Sequence, residues 1–162
     1  MNSFGYFHHI LFCTDFSENA YLAFDYALDA AKRRPGSILY LLHVIPEPEA
    51  QFWKTYLYEV EGLDEKAKHD LDKRIEESYL PRVPEGVDLR VEFRVGKDSQ
   101  VILDFAQEKK IDLIVLGREG HGSTLRRTFF GDVAEKITRK ADCAVLVAPL
   151  AFCRKQFEEG NR

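Results

Sequence analysis

A doubly wound α/β domain, with helices covering both faces of a parallel sheet, is the fold class this 162-residue sequence predicts. Three observations predict it. Short runs rich in branched apolar residues recur along the chain, and patterns with helical spacing fill the intervals between them. The fourth run, Asp112-Leu-Ile-Val-Leu116, opens into glycines and basic residues before a helix restarts. In such sheets, ligands bind beyond the C-terminal strand ends, where the strand order reverses.

The first strand is His9-Ile-Leu-Phe-Cys13. Ser17 is the expected N-cap of a helix whose apolar face is Ala20, Ala23, Phe24, Ala27, Leu28 and Ala31. That helix stops at Arg33-Arg34-Pro35-Gly36, a basic last turn followed by breakers. A second strand, Ser37 to Ile45, ends at Pro46. The aromatic stretch Phe52 to Tyr58 reads as a short helix or a lid-like loop, and Gly62 to Leu80 as a charged amphipathic helix. Asp88 to Val95 alternates apolar and charged residues, the pattern of an edge strand with one wet face. A helix bearing Val101, Ile102, Phe105 and Ala106 follows, then the strand Leu113–Leu116, a helix from about Val133 to Lys140, and the strand Cys143–Ala148. Residues 1–150 are expected to form the single domain and 151–162 a frayed polar tail.

Composition narrows the function classes. With 45% hydrophobic and 31% charged residues, the chain is globular. A net charge of -4 disfavours nucleic-acid binding, which needs a basic face. No apolar run approaches the ~20 residues of a membrane span. The N-terminus lacks the pattern of a signal peptide. Cys13, Cys143 and Cys153 are widely spaced and read as a reduced set, so a cytoplasmic protein is expected.

The loop after the fourth strand carries the chemistry. Glycine lets backbone amides approach an anion, and a helix N-terminus adds donors and a partial positive charge. Arg118, Arg126 and Arg127 stand against Glu119 and Asp132 over residues 117–132, leaving one net positive charge with His121 neutral. Asp132 opposes an anionic ligand, because a carboxylate cannot donate to phosphate and repels it. It also fits, with Glu135, a capping box that would consume the amides a phosphate needs.

Four segments resemble the universal stress protein family over residues 7–149: Ile10-Leu-Phe-Cys-Thr-Asp-Phe-Ser17, Leu42-His-Val-Ile45, Gly117-x-x-Gly120, and Gly131-Asp-Val-Ala-Glu-Lys-Ile137 leading to Cys143–Pro149. The resemblance implies a Rossmann-like five-stranded sheet of order 3-2-1-4-5, and a crevice between the Asp15 loop and the glycine loop. It implies nucleoside contacts from Cys13, Thr14 and Asp15, and an adenine edge read by the backbone of Val44. It implies a glycine loop that wraps the phosphates through Gly117, Gly120 and Gly131, with His121, Asp132 and Val133 counted among the nucleotide-binding positions. Two departures stand out: ten residues rather than nine separate Gly120 from Gly131, and Asp132 occupies the family's hydroxyl position. The implied ligand is ATP or AMP, with Mg²⁺ where it is ATP, or none. The implied assembly is a homodimer through Cys143–Ala148.

Asp15 also reads as a turn carboxylate at a helix start, and His43 as structural. His8 and His9, adjacent on a strand, point to opposite faces, so no metal site is expected. No nucleophile elbow or Walker motif is present, so an enzyme is not expected. The expected function is adenine-nucleotide-responsive regulation in the stress response; the alternative is a nucleotide-free dimeric adaptor of the same fold.

Overall fold

The computed structural model describes residues 6–46, 63–119 and 131–161. These comprise strands β1 (His9–Cys13), β2 (Ile38–Ile45), β3 (Asp88–Val95), β4 (Leu113–Gly117) and β5 (Ala144–Ala148). The helices are α1 (Glu18–Arg33), α2 (Leu63–Ser78), α3 (Asp98–Glu108), α4 (Asp132–Lys140) and α5 (Leu150–Gly160), with a 3-10 turn at Leu80–Arg82. The Phe52–Tyr58 stretch lies outside the described residues.

All pairings are parallel and the strand order is β3-β2-β1-β4-β5, as the family resemblance implies. The chain runs outward from β1 through β2 to β3, then crosses over to β4 and β5. The order therefore reverses between β1 and β4, which fixes where a crevice can open.

Period-two alternation divides the core between the two faces. Ile10, Phe12, Leu39, Leu41, Leu113 and Val115 face α1, α2 and α5, joined by Ala23, Phe24, Ala27, Ile75, Tyr79 and Cys153. Leu11, Tyr40, Leu42, Ile114 and Leu116 face α3 and α4, joined by Ile102, Phe105, Ala134 and Ile137. β3 is an edge, in keeping with its alternating charges, and β5 is the other. The serine predicted to cap α1 does so: Ser17 Oγ accepts from the Ala20 amide at 3.2 Å.

The tail corrects the sequence reading. Residues 150–160 form α5 rather than a frayed end. Leu150, Cys153 and Phe157 recur at helical spacing, and Cys153 is buried in the core. Arg154 holds both carboxylate oxygens of Glu18, at 2.8 and 2.6 Å. Pro149 ends β5 and stands as the N-cap of α5.

Candidate functional site

The crevice is built from the C-terminal ends of β1, β2 and β4 and the start of α4. At β1, the Thr14 amide makes the last ladder bond, to Leu42 O at 3.0 Å. The chain then turns sharply. Asp15 Oδ1 accepts the Ser17 amide at 3.0 Å, and Phe16 takes a left-handed φ of 61°. A non-glycine residue in that region marks local strain held in place by its surroundings. Here the surroundings are aromatic and cationic: His43 lies 4.7 Å from the Phe16 ring, and the Arg74 guanidinium 4.1 Å from its centre.

Thr14 is a structural residue in this turn. The residue is buried, and its hydroxyl lies 2.6 Å from Tyr79 Oη and accepts the Phe16 amide at 3.0 Å. Burial pushes the Tyr79 phenol up to about 12, partly countered by the bond to Thr14. Cys13 is half-buried beside the α3–α4 core, and burial pushes its thiol well above the usual range. It remains a protonated packing group. His43 Nδ1 lies 2.8 Å from Thr14 O, which fits the structural role read from the sequence.

Strand register decides what Val44 presents. Ile38 donates to His8 O, and Leu42 O accepts from Thr14, so the even residues of β2 turn their peptide groups toward β1. Ile45 O accepts from Gly96, so the odd residues turn toward β3. Val44 is the next even position after β1 has ended. Its N–H and C=O therefore face the space above Thr14 and Asp15.

At β4 a buried asparagine holds the strand end together. Asn19, in the first turn of α1 and 2% exposed, donates from Nδ2 to Ala148 O at 2.9 Å and accepts the Glu119 amide at 2.8 Å. Gly117 lies so close that a Cβ there would meet Asn19 Cγ at 2.8 Å. The glycine is thus required by a neighbouring side chain, a reason independent of any anion. Arg118 donates its amide to Ala148 O and accepts from the Gly131 amide, both at 3.0 Å, which joins the end of β4 to β5 and to the N-cap of α4.

Two loop charges neutralise one another. Glu119 Oε1 accepts from Arg118 Nη2 at 2.7 Å and from Nε at 3.1 Å, while Oε2 accepts the Leu150 amide of α5 at 2.9 Å. Burial pushes the Glu119 carboxyl up, but the Leu150 amide and the Arg118 guanidinium outweigh it and hold the group below the usual range.

The capping box that Asp132 and Glu135 also fit is not formed. The N-cap of α4 is Gly131, and Asp132 is the first residue inside the helix, with an exposed side chain. Glu135 donates its amide to Gly131 O at 3.1 Å, while its carboxylate pairs with Arg139 at 3.0 Å. The helix starts one residue earlier than a capping box requires. The amides of Asp132, Val133 and Ala134 therefore precede the first intrahelical bond, and Gly131 has no side chain to cap them.

Cys13, Thr14, Asp15, Val44, Gly117, Gly131, Asp132 and Val133 are gathered at one end of the sheet; Gly120 and His121 lie outside the described residues. Sequence reasoning missed Asn19, Tyr79 and the Glu119 anchor. A polar residue beside Ala20 and Ala23 in the first turn of α1 was the one available signal for Asn19. A groove of about 340 Å³ between α3 and the end of α4, lined by Gln107, Lys110, Lys140 and Cys143, lies at the opposite strand ends. Among the described residues, no three His, Cys, Asp or Glu side chains cluster to hold a metal, and no helix is long and apolar enough to cross a membrane.

A family model described as the universal stress protein family matches residues 7–149. A universal stress protein of Methanocaldococcus jannaschii is 30% identical over 143 residues, covering 85% of this chain and 79% of the relative. Universal stress protein UspA from Lactobacillus plantarum superposes with a TM-score of 0.71 at 29% identity, over 88% of this chain and 98% of the other. A universal stress protein from Archaeoglobus fulgidus, solved in complex with dAMP, has a TM-score of 0.58 at 22% identity, over 88% of this chain and 97% of the other.

Proposed function

The chain belongs to the universal stress protein family, and from that premise we propose that it is a stress-response regulator that binds an adenine nucleotide between the Asp15 loop and the start of α4. One observation carries the reading. Among the described residues no side chain caps the first-turn amides of α4, and they stand at the sheet end where the strand order reverses. A phosphate completes such a helix end, because the donors converge and the helix dipole favours negative charge. The peptide of Val44 supplies one donor and one acceptor at the other side of the crevice, suited to the edge of a purine. Asp15 supplies a carboxylate for ribose hydroxyls. The complex of a related fold with dAMP supports the same ligand class.

Asp132 sets the preference among nucleotides. Its carboxylate disfavours a bare triphosphate, whereas Mg²⁺ accepts oxygen ligands from both a carboxylate and phosphates. AMP, or ATP with Mg²⁺, is the fitting ligand. The role is binding rather than turnover.

Thermal shift with ATP, AMP and adenosine, each with and without Mg²⁺, tests this. A ligand at 100 times its dissociation constant adds about 2.7 kcal/mol. For a chain of this size that raises Tm by about 5 to 10 °C. No shift with any of them would end the nucleotide reading. The nucleotide-free dimeric adaptor would then stand, supported by the open edge of β5. Pairing of residues 143–148 across a two-fold axis would close that edge.

A further inference from the structure

We propose that Arg118 is a phosphate-binding residue held in reserve on Glu119, so that an anionic ligand in the crevice draws Arg118 away and loosens α5 at its first turn. The inference rests on the nucleotide reading and names what that site does to the rest of the fold.

Three contacts place Arg118 between the two elements. Its carbonyl accepts from Gly131, the N-cap of α4, so its backbone is one hydrogen bond from first-turn amides that no side chain caps among the described residues. Its guanidinium lies on Glu119 Oε1 at 2.7 and 3.1 Å. The other oxygen of the same carboxylate holds the Leu150 amide, the first N–H of α5. The Glu119 carboxylate therefore bridges the Arg118 guanidinium and the first turn of α5.

The pair is only partly shielded, with the Arg118 side chain 28% exposed and that of Glu119 27%. Such ion pairs are weak enough for a phosphate group, which offers more charge and bidentate geometry, to compete for the guanidinium. Once Arg118 leaves, a half-buried carboxylate faces an incoming anion without its cation. Glu119 then turns outward, and Leu150 loses its acceptor. Coupling of this kind is reciprocal: whatever weakens the pair in advance must raise affinity for the anion.

Calorimetric titration of ATP, AMP and adenosine into the wild type, Glu119→Gln, Arg118→Met and the double variant tests the idea. Glu119→Gln is expected to tighten ATP about three- to tenfold, by freeing a partly exposed arginine. Adenosine, which has no phosphate, should be unaffected. In the Arg118→Met background, Glu119→Gln should lose most of its effect on ATP. Hydrogen exchange on the wild type provides a readout without mutation: saturating ATP should accelerate exchange at Leu150 to Cys153, and adenosine should not. Binding of ATP by the wild type with no faster exchange in α5, or equal tightening of ATP and adenosine by Glu119→Gln, overturns the inference and leaves the nucleotide reading standing. A wild type that binds none of the three overturns both.

Discussion

Gly117 invites two explanations, and a double-mutant cycle with Asn19 separates them. The structure says that Gly117 is glycine because an added Cβ would come within 2.8 Å of Asn19 Cγ and 2.9 Å of its Oδ1. Asn19 cannot easily step aside, since it is 2% exposed and bonded to both Ala148 and Glu119. Gly117→Ala should therefore cost about 1 to 3 kcal/mol through overpacking. Asn19→Ala should cost a similar amount, about 1 to 3 kcal/mol, chiefly by leaving the Glu119 amide without an acceptor. Ala148 O suffers less, because Arg118 still donates to it. In the double variant the new methyl enters space that the amide has vacated. Its total cost should fall short of the sum by at least about 1 kcal/mol, a clear coupling between touching residues. Urea denaturation of the four proteins, with the m-value checked for constancy, measures this. Additivity within about 0.5 kcal/mol would refute the close-approach account. A stable Gly117→Ala that had lost nucleotide affinity would restore the anion as the reason for the glycine.

Other outcomes follow from the same geometry. Asp132→Ser should act with opposite signs on stability and binding. It removes a negative charge from the first turn of α4, costing about 0.3 to 1 kcal/mol, yet relieves repulsion of about 1 kcal/mol per nearby phosphate charge. Calorimetry should find Mg²⁺-free ATP bound more tightly and adenosine unchanged, and unchanged ATP affinity would dismiss repulsion. Tyr79 gives a pH signature. With its phenol pushed up to about 12 in the fold against 10 when unfolded, its contribution is complete below pH 10 and is lost as pH rises toward 12. The loss is of the order of 2 to 3 kcal/mol, and Tyr79→Phe should remove that slope from the alkaline stability profile; parallel profiles would show that the tyrosine does not carry it. Val145→Lys places a charge on the open edge of β5, where Val145 is half-buried and a lysine can reach solvent. If the wild type sediments as a dimer, this variant should sediment as a monomer, and a variant that stays dimeric would put the interface elsewhere.

The individual strands and helices were legible in the sequence. β1 and β3 span the residues that their apolar patterns marked, His9–Cys13 and Asp88–Val95, and Ser17 caps α1 as its position before the apolar stripe implied. These features depend on neighbours two to four residues away, so periodicity and cap chemistry reveal them. The strand order came from resemblance rather than from periodicity, because pairing partners leave no local trace. Tertiary structure alone decided the fine structure of the candidate site. Thr14 meets Tyr79 across 65 positions, and Asn19 meets Ala148 across 129. Glu119 anchors a helix that composition had marked as frayed, and the start of α4 sits one residue earlier than a capping box needs. Each depends on which buried donor finds which acceptor once the sheet has brought distant segments together. That matching is a property of packed three-dimensional space, and no stretch of the chain carries it in its own pattern.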